Sequence, residues 1–346
     1  MRWGNLTANE SGASAARAVP PLPLALPGAV ARTFDTPGFA GMTFYEIRAK
    51  SIINKVSAAS RVPFTWTVNP YRGCSHACRY CFARNTHTYL DLDAGSDFDS
   101  RVIVKVNAGA VLRHELAAPR WSGEPIAMGT NVDCYQRAEG RYRLMREILA
   151  ALRDFANPFS ILTKGTLILR DLDLLRQAAQ VTEVSLAMSI GFVDEALWRA
   201  VEPGTPSPMR RLDAVRQLTD AGFRVGVLVA PILPGLSDDD ASIDATVAAI
   251  AAVGGCSATP IPLHLRPGAR EWYLHWLGGT RPDLVPRYRE LFRGGSYSPA
   301  GYQREVCDRV RAAARRYRIG VDGSGPARQV APPRPSAPEA TQLTLL

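Results

Sequence analysis

Short apolar runs alternate with longer amphipathic segments through the middle of the chain. The apolar runs have the pattern of buried parallel strands, and they predict strands over 64–68, 103–106, 125–128, 159–162, 183–189, 224–230 and 260–264. Between them hydrophobic residues recur at helical spacing, which predicts helices over 109–117, 140–155, 170–178, 194–200, 208–221, 237–252 and 301–317. Strands and helices in alternation build βαβ units with right-handed crossovers. We therefore predict an α/β fold of the partial (β/α)6 TIM-barrel type.

The two ends of the chain lack this alternation. Residues 1–40 are rich in Ala, Pro and Gly and show no sustained period. The last residues, 325–346, begin with a Pro-rich stretch, a composition typical of disorder. The pattern predicts a flexible extension over 1–40, a barrel domain with C-terminal helical elements over 41–324 and a disordered tail over 325–346.

Charge and hydropathy narrow the classes of partner. The 346-residue chain carries a formal charge of +9, and almost all its basic residues are Arg. Such an excess is compatible with an anionic partner such as nucleic acid, while a solvated Arg-rich surface is the alternative. No apolar run of about 18 residues is present, and prolines interrupt the apolar stretch over 19–30. We expect a cytoplasmic protein without a membrane-spanning segment.

Three of the six cysteines are clustered in one segment. Cys74, Cys78 and Cys81 follow the first predicted strand with C-x3-C-x2-C spacing. Three thiolates in one loop can face one metal centre, whereas ordinary [4Fe–4S] clusters and structural zinc sites have four ligands. Three cysteines would leave one iron of a cluster open to a ligand. His76 as a fourth zinc ligand is the alternative, although it lies between the first two cysteines, where reaching the same metal would be strained.

The surrounding segment, NPYRGCSHACRYCFAR from Asn69 to Arg84, resembles the signature of the radical SAM superfamily, including an aromatic residue, Tyr80, before the last cysteine. The resemblance implies a [4Fe–4S] cluster on the three cysteines whose open iron binds S-adenosylmethionine. One electron, from a reductase, flavodoxin or ferredoxin, then cleaves the sulfonium to methionine and a 5′-deoxyadenosyl radical. The cofactor carries this chemistry, and the protein positions it.

A narrower resemblance extends over 49–235. Segments such as VKVNAGAVLRHEL, ILTKGTLILRDLDLL and VEPGTPSPMRRLDAVRQLTDAGF resemble the branch related to spore photoproduct lyase. This implies a lyase that acts on damaged nucleic acid. Two alternatives stay open: a radical SAM enzyme with a peptide or metabolite substrate, and an iron–sulfur or zinc protein that binds nucleic acid without radical chemistry.

The resemblance also assigns residues that follow the strands, because barrel enzymes place their sites at the carboxyl ends of strands. Thr130 and Asn131, in the loop after the 125–128 strand, correspond to the contact with the methionyl amino group. Lys164 would meet the methionyl carboxylate, and Ser189 would contact the ribose. A surface lysine and a serine bonded to backbone are the alternatives.

Cys134 is a candidate catalytic residue. It lies close to where spore photoproduct lyases carry a hydrogen-atom-donating cysteine, and a thiol S–H can quench a carbon-centred radical. A buried structural cysteine is the alternative. For Glu202, Arg210 and Arg211 we weigh a polar lid over the site against a solvated loop.

An aromatic stripe and the chain end carry two further hypotheses. Trp272, Tyr273 and Trp276 recur at helical spacing, which favours core packing over a base-stacking platform. The last residues resemble the bacterial sliding-clamp-binding pentapeptide, and a frayed tail is the alternative. The residues that would contact the clamp are Gln342, Leu343, Leu345 and Leu346.

Overall fold

The structure is a computed structural model that describes residues 26, 28–57, 60, 62–321 and 327–329. Its strands are β1 (Val30–Arg32), β2 (Thr43–Ile47), β3 (Ile53–Lys55), β4 (Trp66–Val68), β5 (Tyr71–Arg72), β6 (Arg101–Lys105), β7 (Ile126–Met128), β8 (Phe159–Thr163), β9 (Val184–Ser189), β10 (Val225–Ile232), β11 (Ser257–Pro262) and β12 (Ala327–Gln329). Its α-helices are α1 (Ser96–Ser100), α2 (Ala108–Leu116), α3 (Arg137–Tyr142), α4 (Leu144–Asp154), α5 (Leu172–Ala179), α6 (Glu195–Val201), α7 (Pro208–Asp220), α8 (Asp240–Ala252), α9 (Ala269–Thr280), α10 (Val285–Leu291) and α11 (Ala300–Arg316). Short 3₁₀ helices cover Pro37–Phe39, Phe82–Leu90, Thr166–Asp171 and Pro282–Leu284.

Parallel strands form the centre of the fold. In the order β4-β7-β8-β9-β10-β11 each strand is parallel to the next, and β3 adds an antiparallel edge beside β4. Helices lie in the crossovers between these strands, as in βαβ units. The predicted α/β fold of the partial (β/α)6-barrel type is confirmed. The carboxyl ends of all six parallel strands meet at one edge, which fixes where the site can be.

One predicted strand belongs elsewhere. The apolar run at 103–106 forms β6, which joins a second, four-stranded sheet in the order β1-β2-β6-β5. Its central residues are as deeply buried as those of the barrel strands. An apolar run predicts that a strand is buried, but it does not predict which sheet the strand joins. The sequence pattern therefore did not separate the two sheets.

The predicted helix over 140–155 is interrupted. Arg143 has a φ of 54°, in the left-handed region, and it separates α3 from α4. The hydrophobic period continues across this residue, because both helices bury one face against the same core. Periodicity alone therefore merged two helices into one.

Two described parts of the predicted terminal segments are ordered, although composition predicted flexibility for both. Phe34 packs on Phe39 and Phe44, and Phe39 is fully buried, so residues from about 30 onward belong to the folded body and not to the predicted extension. At the other end β12 pairs antiparallel with β9, inside the segment predicted as disordered. Unlike the prolines near it in the sequence, each residue of the Ala-Arg-Gln triplet has a backbone N–H group that can pair with a neighbouring strand. Residues 1–25 and 330–346 lie outside the described residues.

The described helices include none that is both long enough and apolar enough to cross a membrane.

Candidate functional site

The cysteine loop lies at the carboxyl edge of the sheet, between β5 and the 3₁₀ helix Phe82–Leu90. Cys74 and Cys78 are buried, Cys81 is half-buried, and all three thiols are free. Tight turns shape the loop: the Ala77 N–H donates to the Cys74 carbonyl at 3.2 Å and the Cys81 N–H to the Cys78 carbonyl at 3.2 Å. The backbone therefore holds the three cysteines in one folded loop, as the spacing predicted.

Arg84 holds the cysteine loop in place by hydrogen bonds. Its guanidinium is fully buried and donates to the Cys78 carbonyl at 2.9 Å, the Gly95 carbonyl at 2.8 Å and the Asp99 carboxylate at 2.8 Å. The ring of Trp272 lies over the same guanidinium, 4.8 Å from its centroid. A buried charge with this many partners fixes the loop conformation. Sequence reasoning missed Arg84, because its partners are scattered along the chain.

The donor set fits an iron–sulfur cluster. Burial raises the pKa of the Cys74 thiol, and the nearby Asp133, Cys78 and Cys81 raise it further. Negative thiolates are therefore unfavourable here without a cationic partner, which cluster iron would supply. In the described part of the chain, no three His, Cys, Asp or Glu side chains are grouped closely enough to hold a single metal ion. A cluster spreads its thiolates over separate irons, so it tolerates wider spacing.

Lys164 and Ser189 meet beside the cysteine loop. Each follows or ends a neighbouring parallel strand, and the Lys164 ammonium donates to the Ser189 hydroxyl at 2.6 Å. The Lys164 Nζ also lies 3.9 Å from a Glu202 carboxylate oxygen and 5.7 Å from the centroid of the Tyr80 ring. The structure thus brings Lys164 and Ser189 together at the ends of β8 and β9, and their contacts with the cofactor stay predictions.

Glu202 and Arg211 form a fully buried ion pair behind Lys164. Their N–O distance is 2.5 Å, and a second guanidinium nitrogen of Arg211 donates to the Ser189 carbonyl at 2.9 Å. The Tyr80 hydroxyl donates to the same Glu202 carboxylate. Burial alone would raise the pKa of Glu202, but the charges of Arg211 and Lys164 outweigh it and hold the pKa below its usual value. Glu202 is therefore an anion at neutral pH that interacts with Arg211, Lys164 and Tyr80.

This pair corrects one alternative from the sequence. Of these three residues, Arg210 is exposed to solvent, as the solvated-loop alternative expects. Glu202 and Arg211 are inaccessible to solvent, so that alternative does not hold for them. The nine-residue separation of the two partners gave no local signal of a buried pair.

Asp133 joins three segments at the strand ends. Its carboxylate accepts from the Thr163 hydroxyl and the Lys164 backbone N–H, both at 2.6 Å, and lies 3.4 Å from the His76 imidazole. Burial would raise the pKa of Asp133, but His76 and the hydrogen bonds from Thr163 and Lys164 lower it to about 2. Asp133 is thus a carboxylate that positions Lys164, a role that sequence reasoning did not single out.

Thr130 and Asn131 lie in the loop that Asp133 anchors, and both are half-buried. Gly129 begins this loop with a φ of 78°, and a Cβ there would lie 1.8 Å from the Leu162 carbonyl oxygen. The loop therefore packs closely against β8. The roles of Thr130 and Asn131 toward the methionyl amino group stay predictions.

Cys134 is fully buried within the main hydrophobic core. Burial raises the pKa of its thiol first, followed by the negative charges of Asp133, Glu139 and Asp171. This environment is that of a core cysteine, the alternative stated from the sequence. Its catalytic role stays a prediction that the geometry does not favour.

The aromatic stripe of α9 packs inside the protein. Tyr273 is fully buried and its hydroxyl lies 3.0 Å from that of Tyr288, while the Trp276 ring tilts against Tyr273 at 5.2 Å. Trp272 packs on Arg84. Tyr273 thus contributes core packing, while Trp272 and Trp276 are half-buried and pack on Arg84 and Tyr273.

Comparisons with known proteins agree with this arrangement. The family model for the radical SAM superfamily matches residues 68–245. An uncharacterized protein of Mycobacterium tuberculosis is 50% identical over 302 residues, which cover 86% of this chain and 89% of that protein. An uncharacterized protein of Methanocaldococcus jannaschii is 31% identical over 195 residues, 56% of this chain and 69% of that one.

Among solved structures, spore photoproduct lyase complexed with dinucleoside spore photoproduct is similar, with a TM-score of 0.60 over 79% of both chains. The sequence identity is 18%, so this likeness concerns the fold alone.

Proposed function

Because the chain belongs to the radical SAM superfamily, we propose that Cys74, Cys78 and Cys81 hold a [4Fe–4S] cluster on which S-adenosylmethionine is reductively cleaved. The observation that carries the proposal is the placement of three free thiols in one loop beside Lys164. When bound, the cluster and S-adenosylmethionine would supply a 5′-deoxyadenosyl radical. A flavodoxin, ferredoxin or dedicated reductase would donate the electron.

The protein's own part is to bind and orient. Lys164 presents an ammonium group that Ser189 holds by a hydrogen bond and that Asp133 positions through the backbone. An ammonium facing a ligand carboxylate makes a charge-assisted hydrogen bond. The Lys164 Nζ also lies 3.9 Å from a Glu202 carboxylate oxygen, an ion pair that holds the ammonium at the strand ends. Lys164 would thus bind the methionyl carboxylate.

The substrate we propose is damaged nucleic acid, on which the enzyme would act as a lyase. The formal charge of +9 and the fold shared with spore photoproduct lyase support this class. A peptide or metabolite substrate, or nucleic-acid binding without radical chemistry, would be distinguished by product analysis. Anaerobically reconstituted protein is reduced with and without lesion-containing oligonucleotide, and 5′-deoxyadenosine and altered bases are quantified.

Cysteine variants test the cluster. Replacing Cys74, Cys78 or Cys81 with Ala should abolish the cluster absorbance and all 5′-deoxyadenosine formation. Cys307→Ala is the matched control, since that half-buried thiol lies in α11, outside the cysteine loop. Intact cluster spectra in the three loop variants would refute the proposal.

Lys164→Ala separates cofactor binding from cluster assembly. It should leave the cluster spectrum intact but weaken S-adenosylmethionine affinity by about tenfold or more, because a hydrogen bond to a charged group contributes about 1.5–3 kcal/mol. Lys50→Ala, at an exposed lysine, is the control. Unchanged affinity by calorimetry would remove Lys164 from the site.

A further inference from the structure

A second aromatic cluster lies against the cysteine loop. Phe82 directly follows Cys81, and its ring centroid is 5.5 Å from that of His264. His264 stacks on Tyr297 at 5.6 Å with an interplanar angle of 27°. The Arg266 guanidinium lies 5.2 Å from the centroid of Phe82. We call Phe82, His264, Arg266 and Tyr297 the aromatic platform.

The platform stands at the edge of the sheet where the site is built. His264 comes just after Pro262, which ends β11, and a β-bridge pairs it with Tyr297. The Leu263 N–H donates to the Ile232 carbonyl at the end of β10. The platform is therefore fixed to the carboxyl ends of the last two parallel strands, and Phe82 connects it to the cysteine loop.

Two members of the platform are exposed to solvent, Tyr297 and Arg266, while Phe82 and His264 are half-buried. Tyr297 is 58% exposed although it stacks on His264, and Arg266 is also exposed. Among the described residues Arg266 forms no ion pair, and its guanidinium packs on the Phe82 ring, so its charge is available to a ligand. Burial lowers the pKa of His264 and Arg266 lowers it further. The imidazole is thus a neutral aromatic ring at pH 7.

Stacked rings beside a guanidinium suit a ligand that has both an aromatic base and a phosphate. A nucleobase stacks on aromatic side chains, and a guanidinium contacts its phosphate or stacks on its face. Bases inside a duplex are stacked on each other, so the rings can reach only an unpaired base. The formal charge of +9 would favour approach of such a polyanion.

We propose that the aromatic platform binds an unpaired base of a single-stranded or locally opened nucleic acid, with Tyr297 and His264 supplying the stacking surface and Arg266 a phosphate contact. The inference rests on the proposed function for its relevance to catalysis. Its binding step, however, needs neither the cluster nor S-adenosylmethionine cleavage, so the two are tested separately.

The test is fluorescence anisotropy of a labelled single-stranded DNA of about 12 nucleotides with the reconstituted full-length protein. Tyr297→Ala should weaken binding at least about fivefold, as expected for loss of one base–aromatic stack. Tyr297→Phe keeps the ring and should bind like the wild type. Tyr89→Ala, at another strongly exposed tyrosine, is the matched control and should change little.

Salt dependence tests the cation. Arg266→Gln should reduce the slope of log affinity against log salt by about 0.7, the contribution of one phosphate contact on a single strand. Arg293→Gln, whose side chain is 80% exposed and paired with Glu290, should leave the slope unchanged. A fully paired duplex of the same sequence should bind more weakly than the single strand.

The outcomes separate the two proposals. Three outcomes would overturn the platform proposal. They are wild-type affinity of Tyr297→Ala for the oligonucleotide, equal affinity for duplex and single strand, and no binding of the oligonucleotide at low salt. Formation of 5′-deoxyadenosine is measured in the same variants and should be retained. Loss of oligonucleotide binding with intact cleavage supports the platform. Binding that depends on Tyr297 in a protein unable to cleave S-adenosylmethionine would refute only the radical chemistry.

Discussion

The ammonium group of Lys105 is largely buried. Its ammonium donates to the Asn69 carbonyl at 2.9 Å, ahead of the cysteine loop. Burial, and then the charge of Arg72, lowers the pKa of Lys105 to about 8. The folded pKa is therefore below the unfolded value of about 10.4, so folding favours the neutral amine. The resulting penalty is complete below about pH 8 and disappears as the pH rises toward about 10.4.

Lys105→Met should remove this pH dependence. Between about pH 7 and pH 10 the free energy of unfolding of the wild type should rise by up to about 2–3 kcal/mol relative to the variant. The difference between the two proteins isolates Lys105 from the thiols that also titrate in this range. Urea denaturation at several pH values measures it. Parallel pH profiles for the two proteins would contradict the assignment.

Gly129 is required by close packing as well as by its conformation. Gly129→Ala places a Cβ 1.8 Å from the Leu162 carbonyl oxygen and forces a φ of 78° on alanine. We expect a loss of about 2–5 kcal/mol in the free energy of unfolding, from backbone strain plus overpacking. Gly222→Ala is the control, because its φ of 94° imposes the strain with nothing within 4 Å. Equal losses at both glycines would show that the contact with β8 is unimportant.

At the scale of elements, the barrel strands were predictable and several supporting elements were not. β8, β9 and β10 are buried strands whose apolar runs stand out from the amphipathic helices between them. β1 and β5 are too short to show a period, so the second sheet was missed. Tertiary pairing, and not local pattern, creates such strands.

The same reasoning explains which site residues could be found. The resemblance assigned Lys164 and Ser189, and the rule that barrel sites lie at the carboxyl ends of strands supported both assignments, because each residue lies at or just after a strand end. Arg84, Glu202 and Arg211 are charged residues in helical or loop segments, which a pattern assigns to the surface. Their burial is set by partners far along the chain, and one sequence without structure carries no signal of that pairing.

The Glu202–Arg211 pair links the loop after α6 to α7, and it supports a prediction about elements. Arg211→Met should destabilise the fold by about 3–5 kcal/mol, because it removes the guanidinium and leaves the buried Glu202 carboxylate with Lys164, Tyr80 and Thr205 as partners. Adding Glu202→Gln should recover part of that loss, which a double-mutant cycle by urea denaturation measures.

The neighbouring arginine provides the control for this cycle. Arg210→Met, at an exposed position of the same helix, should change the free energy of unfolding by less than about 0.5 kcal/mol. If the effects of Arg211→Met and Glu202→Gln are simply additive, the two side chains are not coupled as the 2.5 Å contact implies.

For the whole molecule, the carboxyl ends of the barrel strands bring together the groups that the two separate proposals use. The cysteine loop, Lys164, Ser189 and the aromatic platform come from different parts of the chain and meet at the carboxyl ends of parallel strands. A cofactor and a substrate bound at that edge would be neighbours. The position of this edge was predictable from the alternation of strands and helices, whereas the platform was not, because its rings meet only through tertiary pairing.

The chain end carries a prediction that is independent of the barrel. Gln342, Leu345 and Leu346 lie outside the described residues, and their sequence resembles a sliding-clamp-binding pentapeptide. We predict that the full-length protein binds the clamp of the source organism and that alanine at these three positions abolishes binding, while 5′-deoxyadenosine formation is unchanged. Binding to a clamp would raise the effective concentration of the enzyme at DNA even when the peptide binds modestly. The measurement is a titration of the wild type and of the alanine variant against the clamp. Equal, negligible binding of both proteins would contradict the clamp prediction and would not affect the proposed radical chemistry.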